Sequence, residues 1–178
     1  MVLRTLFVVC CVLVAASSVL GQAKAQTNTF MITKVESEPI PQDGAQNVAV
    51  ELRQGFAEVS GWVSKAADMV PPEKYNYKPV DTVRSFGQII AHVTDSYNYF
   101  CARGAGEKVE WSDATEKGST DKATLVPKLK AALDKCNAAY GKDNGQVGPL
   151  LGNIGHTSLH YGNIITYMRM LGLKPPSS

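Results

Sequence analysis

Apolar residues recur at alternating steps of four and three along four separate segments of this chain. The segments cover residues 52–70, 86–100, 125–139 and 154–171. Steps of four and three keep side chains on one face of an α-helix. No segment shows the every-second-residue alternation of a half-buried strand. The pattern predicts an all-α fold, an antiparallel four-helix bundle that occupies residues 45–176.

Prolines, glycines and capping residues indicate where these helices begin and end. Pro71 and Pro72 stop the first helix, and Gly104 with Gly106 stops the second. Pro127 favours the later of two starts for the third helix, because proline is tolerated in a first turn. We expect the second helix to begin at Asp81 or Thr82, the third at Thr120 or Thr124, and the fourth at Pro149 or Leu150.

The first 25 residues have the three parts of a secretory signal peptide. Arg4 supplies the positive start, Leu6–Leu20 is apolar except for two serines, and Ala23–Ala25 offers a cleavage site. The apolar run of about 15 residues is short for a membrane span, which needs about 20. We expect a cleaved Sec-type signal over residues 1–25 and a periplasmic or secreted protein. An uncleaved N-terminal anchor is the alternative, and residues 26–44 are predicted to form an extended lead-in.

The charge balance argues against two classes of partner. The chain has 18 Lys and Arg residues against 16 Asp and Glu. Loss of Arg4 and Lys24 with the signal would leave a formally neutral mature protein. The basic residues form no cluster, so neither nucleic acid nor an anionic membrane surface is an expected partner.

Cys101 and Cys136 are the two cysteines that lie outside the predicted signal. An even pair in an exported protein is a disulfide candidate. Two buried free thiols are the alternative, since cysteine packs well as a small apolar group. Neither cysteine belongs to a Cys-x-x-Cys arrangement, so a thiol redox centre is not expected. We favour the disulfide.

All three histidines of the chain fall in two of the predicted helices. His156 and His160 are four residues apart in the fourth helix and therefore point the same way. His92 lies in the second helix. Two imidazoles from one helix and a third from a neighbour can form a three-nitrogen metal site with an open position, as in catalytic zinc sites. We predict His92, His156 and His160 as metal ligands.

Other chemistry is less consistent with these histidines. A histidine that only forms hydrogen bonds in or beside the core is the commoner role for any single ring. The His-Glu-x-x-His protease pattern, the Glu-x-x-His pattern of di-iron bundles and the Cys-x-x-Cys-His haem motif are all absent. Two histidines on the same side of a helix suit a small ion better than haem.

Polar residues on the same helix faces are candidates for orienting the imidazole rings or a ligand. These are Ser96, Asn153, Asn163 and Tyr167. Asp95 and Tyr99 could also face the site, although a solvated carboxylate and a packed tyrosine are the commoner roles. No residue is predicted as an acid–base catalyst.

Two segments resemble motifs of the DinB-like, damage-inducible superfamily. Thr82–Val93 is similar to its second-helix motif, and His156–Arg169 is similar to its fourth-helix motif, in which a histidine pair precedes Gly-Asn. The ending Leu171–Pro176 is also similar. The resemblance covers residues 45–176, and the two histidine motifs are its specific parts.

The resemblance implies a bundle in which three histidines hold one divalent ion, zinc or nickel. His92, His156 and His160 match those three positions. Characterised members include metal-dependent transferases and isomerases that use low-molecular-weight thiols. An export signal sets this chain apart from cytoplasmic members, because reduced thiol pools are cytosolic. Export also favours the bridge between Cys101 and Cys136.

Three functions are consistent with these features. The first is an exported metal-dependent hydrolase or transferase that acts on an unknown small-molecule substrate. The second is a non-catalytic periplasmic bundle that binds a metal or another ligand. The third is a structural bundle whose histidines only form hydrogen bonds. The sequence leaves open whether the chain forms a homodimer, although all four apolar faces are needed inside the bundle itself.

Overall fold

The computed structural model describes residues 42–178, with side chains from residue 48 onward. Its four α-helices are α1, Gln42–Met69; α2, Phe86–Gly104; α3, Lys122–Tyr140; and α4, Val147–Met170. The described part of the chain contains no strand, which confirms the all-α four-helix bundle. The predicted signal peptide and all but the last three residues of the predicted lead-in lie outside the described residues. Within residues 42–178, no helix has the length and hydropathy needed to cross a membrane.

The predicted apolar faces form the core. The buried residues of these faces are Leu52, Phe56, Val59, Val63, Ala66, Val70, Phe86, Ile90, Val93, Tyr97, Leu125, Leu129, Ala132, Cys136, Ala139, Thr157, Tyr161, Ile164 and Met168. Phe100, Ile154 and Leu171 are partly buried. Burial of one face from each helix against the others is the main stabilising contribution expected in such a bundle.

The second helix begins later than the sequence suggested. Ser85, and not Asp81 or Thr82, is its N-cap. The Ser85 side chain accepts a hydrogen bond from the Gln88 backbone N–H, and the Gln88 side chain accepts one from the Ser85 backbone N–H. This reciprocal capping box satisfies two N–H groups that a helix end otherwise leaves unpaired.

The starts of α3 and α4 also differ from the expected positions. α3 begins at Lys122 with Asp121 as N-cap, so Pro127 lies inside the helix and not in its first turn. The early start is supported by Lys122, whose ammonium group donates to the carbonyls of Asp68 and Val70. α4 begins at Val147, which leaves Pro149 in the first turn, where proline is tolerated.

The helices do not simply alternate in direction. Cys101 and Cys136, near the C-terminal ends of α2 and α3, are joined by a disulfide with Cα atoms 5.0 Å apart. α2 and α3 therefore run in the same direction. The Tyr167 hydroxyl, near the C-terminal end of α4, donates to the Arg84 carbonyl just before α2, so α2 and α4 are antiparallel.

A long connection follows from the parallel arrangement of α2 and α3. The chain leaves α2 at one end of the bundle and must enter α3 at the other. α2 has 19 residues, which is about 28 Å at 1.5 Å per residue. Residues 105–121 make this return along the outside of α2, and we call them the crossover loop. The loop therefore passes over the middle of α2, where His92 lies.

Candidate metal centre

The structure brings all three histidines together. The Nε2 atoms of His92 and His156 lie 3.2 Å apart. The ring centroid of His160 lies 4.7 Å from that of His92 and 4.5 Å from that of His156. One ring nitrogen from each histidine falls within 4.8 Å of the other two. The predicted convergence of His92 with the pair on the fourth helix is present in the fold.

The close approach of α2 and α4 makes this convergence geometrically feasible. Gly104 packs directly against Leu150, and a Cβ at Gly104 would overlap that side chain. One turn further along, a Cβ at Gly152 would lie 3.3 Å from the Phe100 ring. Small residues at these two contacts let the helix backbones approach closely, so a histidine from each helix can reach the same point.

The separation of the two Nε2 atoms fits a shared metal ion. Two nitrogens bound at about 2.0–2.1 Å to one tetrahedral ion lie about 3.3 Å apart. The 3.2 Å distance between His92 and His156 is close to that value. It is also compatible with a hydrogen bond if one of the two nitrogens carries a proton. The residues present therefore fit a three-histidine metal site without rearrangement of this pair.

Burial keeps two of the three rings neutral. Desolvation, followed by repulsion from His92 and Arg84, lowers the pKa of His156 from 6.5 to about 4. Desolvation also lowers the pKa of His160 to about 4, with further contributions from His156 and His92. The Nδ1 atoms of both rings are buried and have no hydrogen-bond partner among the described residues. Neutral imidazole is the form that binds a metal.

Glu116, on the crossover loop, is a site residue that the sequence did not reveal. Its Oε2 atom lies 2.9 Å from Nδ1 of His92, and its Oε1 atom accepts a hydrogen bond of 2.6 Å from Nε of Arg84. Burial alone would raise the pKa of Glu116. Hydrogen bonds from Arg84 and His92 outweigh that effect and lower it, so the carboxylate is ionised.

Asp95 has a different role from the one suggested by its position near His92. It is buried, and its carboxylate accepts hydrogen bonds from the backbone N–H groups of Thr115 and Glu116, at 2.9 to 3.1 Å. The carboxylate is therefore neither solvated nor directed at the histidines. It attaches the crossover loop to α2.

Aromatic rings enclose the histidines on one side. The Trp111 ring from the crossover loop lies 5.5 Å from the His92 ring and 5.4 Å from the Tyr99 ring. The Phe100 ring lies 5.7 Å from the His156 ring. Trp111 thus folds back onto the bundle. Tyr99 packs here and also accepts a hydrogen bond from Arg103.

A cavity of about 650 Å³ adjoins the site on the side of His160. Its lining includes Lys78, Arg84, Gln88, Glu116, His160, Asn163 and Tyr167. The cavity therefore contains one of the three histidines and the carboxylate that pairs with another. Its polar walls can form hydrogen bonds with a small molecule placed beside the histidines.

The predicted orienting residues do not contact the histidine rings. The Ser96 hydroxyl donates to a backbone carbonyl of its own helix, and the Asn153 amide is directed at the disulfide and a tyrosine hydroxyl. Tyr167 donates to the Arg84 carbonyl. The prediction that these residues hold the outward nitrogens of the imidazole rings was therefore wrong. Asn163 and Tyr167 do line the cavity, so a role in orienting a ligand stays a prediction.

A second group of potential ligands shares His92. Atoms of His92, Asp113 and Glu116 also lie within 4.8 Å of one another. In this group Glu116 is already paired with the Arg84 guanidinium, and Asp113 is bound by the Trp111 indole N–H and by Lys117. Two cations beside these carboxylates disfavour a metal ion there, so the three-histidine group is the better candidate.

Comparison with known proteins gives one match. A family model described as the DinB superfamily matches residues 56–144, half of the chain. The matched segment contains α2 with His92, and also the crossover loop with Glu116, but it ends before His156 and His160. No curated protein and no solved structure matches the chain.

Proposed function

This chain belongs to the DinB superfamily, and from that premise we propose that it binds one divalent metal ion through His92, His156 and His160. We propose further that the ion serves a reaction on a small molecule held in the adjoining cavity. Zinc and nickel are the ions we favour, because neutral imidazole nitrogens suit both. The reaction classes are hydrolysis and group transfer.

The observation that carries this proposal is that the three-histidine cluster opens, through His160, onto the wall of an open cavity. His160 and Glu116 are both lining residues of the cavity of about 650 Å³. A structural metal site is normally closed by a fourth protein ligand, whereas a catalytic site keeps a position for water or substrate. Besides these three histidines, no His, Cys, Asp or Glu in residues 48–178 joins this ligand group.

When bound, the ion would supply a Lewis acid that polarises a substrate oxygen or activates a nucleophile. The protein residues would hold the substrate in place. Arg84, Gln88 and Asn163 all line the cavity and offer N–H donors to it. On the other side, Trp111 and Phe100 shield the histidine rings from water.

A non-catalytic binding function is the second candidate, and one observation favours it. The two carboxylates that approach the His92 ring, Glu116 and Asp113, already have partners in the described part of the chain. Glu116 pairs with Arg84 and His92, and Asp113 is bound by the Trp111 indole N–H and by Lys117. Neither is free to act as a general base, so the site could hold a metal or ligand without turnover.

We also propose that the protein is exported, as the predicted signal over residues 1–25 suggests. The disulfide between Cys101 and Cys136 supports this, because disulfides persist mainly in oxidising compartments. The bridge is buried, as expected for a structural disulfide.

Turnover with and without chelator tests the enzymatic proposal. The purified protein would be assayed with ester, amide and thiol-plus-electrophile substrates. We expect turnover of at least one class, lost with chelator, restored by zinc or nickel, and lost in His160→Ala. Ser158→Ala, on the exposed side of the same helix, is the matched control. Absent or chelator-insensitive turnover across the panel would support the binding function instead.

A further inference from the structure

We infer that Glu116 and Asp95 are positioning residues for His92: Glu116 fixes which ring nitrogen of His92 is free, and Asp95 fixes Glu116. The consequence for metal affinity rests on the proposed metal site. The consequence for the tautomer of His92 does not rest on the metal site, because it applies to the protein without metal.

The contact between Glu116 and His92 determines where the proton of a neutral His92 ring resides. An ionised carboxylate is only an acceptor, so Nδ1 of His92, 2.9 Å from Oε2, must carry the proton. Nε2 is then bare and faces Nε2 of His156 at 3.2 Å. The His92 and Glu116 side chains are only 12% and 17% exposed, so water competes weakly for this hydrogen bond.

Arg84 keeps Glu116 in the acceptor state. Its Nε and Nη2 groups approach the two carboxylate oxygens at 2.6 and 3.4 Å. A guanidinium beside a carboxylate stabilises the ionised form. Arg84 and His92 therefore bind the same carboxylate. Glu116 links Arg84, just before the start of α2, to His92 on α2.

Asp95 determines where the loop presents Glu116. It lies three residues after His92 on α2, so the two side chains project from neighbouring positions of one helix face. Its carboxylate receives the backbone N–H groups of both Thr115 and Glu116. The helix that carries His92 thus also holds the loop segment that supplies its partner.

This arrangement gives the three histidines different surroundings at Nδ1. His92 has a charged partner for its Nδ1–H, whereas Nδ1 of His156 and of His160 has none among the described residues. In the metal-free protein, His156 donates its Nε2–H to the bare Nε2 of His92. Coordination through both Nε2 atoms then requires a change of tautomer at His156 but none at His92. A carboxylate on the outer nitrogen also fixes the orientation of the His92 ring for metal binding.

Histidine ¹⁵N NMR of the metal-free protein at pH 7.5 tests the protonation directly. The resonances would be assigned with single His→Gln variants. We expect His92 to be protonated at Nδ1 in the wild type and in Glu107→Gln, a matched control at an exposed position of the same loop. In Glu116→Ala we expect a shift toward the Nε2–H form. An unchanged His92 tautomer in Glu116→Ala would overturn the inference.

Zinc affinity gives the second readout, measured by competition with a chromophoric chelator. We expect affinity to fall about 10- to 100-fold in Glu116→Ala, less in Glu116→Gln, which keeps an acceptor oxygen, and less than threefold in the control Glu107→Gln. Asp95→Asn should show an intermediate loss. Equal affinity in all four variants would contradict the positioning role. A wild type that binds no zinc would refute the metal site, while the NMR result would still decide the role of Glu116.

Thermal unfolding of the metal-free variants separates positioning from general structural damage. Glu116→Gln is nearly isosteric and should unfold within a few degrees of the wild type. Loss of zinc affinity without loss of stability supports positioning. If Glu116→Gln loses zinc affinity and thermal stability in equal proportion, the role of Glu116 is merely structural.

Discussion

Cys101 of α2 and Cys136 of α3 form a disulfide between the C-terminal halves of two helices that run in the same direction. The bridge closes a segment with a sequence separation of 35 residues, and this segment contains the whole crossover loop. The two helices that flank the loop with Glu116 are therefore joined by a covalent bond, and Asp95 holds the loop itself at Thr115 and Glu116.

Removal of the disulfide should destabilise the fold. Cross-linking across a segment of this length restricts the unfolded chain and is worth about 2–4 kcal/mol. We expect the double variant Cys101→Ala, Cys136→Ala to lose about that much free energy of unfolding, measured in urea. Reduced wild type should behave like the double variant. If the oxidised, reduced and double-variant proteins unfold at the same urea concentration, the bridge does not contribute to stability.

The buried histidines should make the metal-free protein less stable as pH falls from 7.5 to 5. Burial lowers the pKa of His156 and His160 to about 4 in the folded state, against about 6.5 in the unfolded chain. In this window the unfolded state binds more protons than the folded state, so acid favours unfolding. The loss begins near pH 6.5 and continues toward pH 4.

Urea midpoints at pH 7.5 and 5 check this pH dependence. The double variant His156→Gln, His160→Gln removes both rings and should show a smaller difference between the two midpoints. Glu116 titrates below this window, because its pKa is lowered. The same midpoint difference in the wild type and the double variant would contradict neutral, desolvated histidines.

Trp111 should report metal binding through its fluorescence. Its ring lies 5.5 Å from that of His92, whereas Trp62, the other tryptophan, stacks on Tyr161 in a different part of the bundle. A paramagnetic ion such as Ni²⁺ quenches a nearby indole strongly. We expect Trp62→Phe to retain saturable quenching by Ni²⁺ and Trp111→Phe to lose most of it. The reverse pattern would place the ion away from His92.

Much of this fold was accessible from the sequence. Helix formation on a four-and-three pattern depends on local spacing, so the buried faces of all four helices were predictable. The pairing of Cys101 with Cys136 followed from the count of cysteines outside the predicted signal. Ser85 could have been recognised as the cap of α2, because Ser followed three residues later by Gln is a capping-box pattern.

The role of Glu116 was not predictable in the same way. It lies 24 residues from His92, in a polar loop with no periodicity. Its position depends on α2 and α3 running in the same direction, which apolar spacing does not encode. One signal was available: connections in helical bundles usually span about 2–8 residues, so the length of the segment after Gly104 indicated a crossover. A crossover must pass along α2, and a carboxylate in it could then reach His92.

Metal stoichiometry tests the central claim most directly. The wild type and each single His→Ala variant would be loaded with zinc, passed through a desalting column and analysed for metal and protein. We expect one ion per chain in the wild type and in Ser158→Ala, and less than a tenth of that in His92→Ala, His156→Ala and His160→Ala. A wild type without stoichiometric metal, or a His92→Ala variant that retains one ion per chain, would contradict a metal centre built from these three histidines.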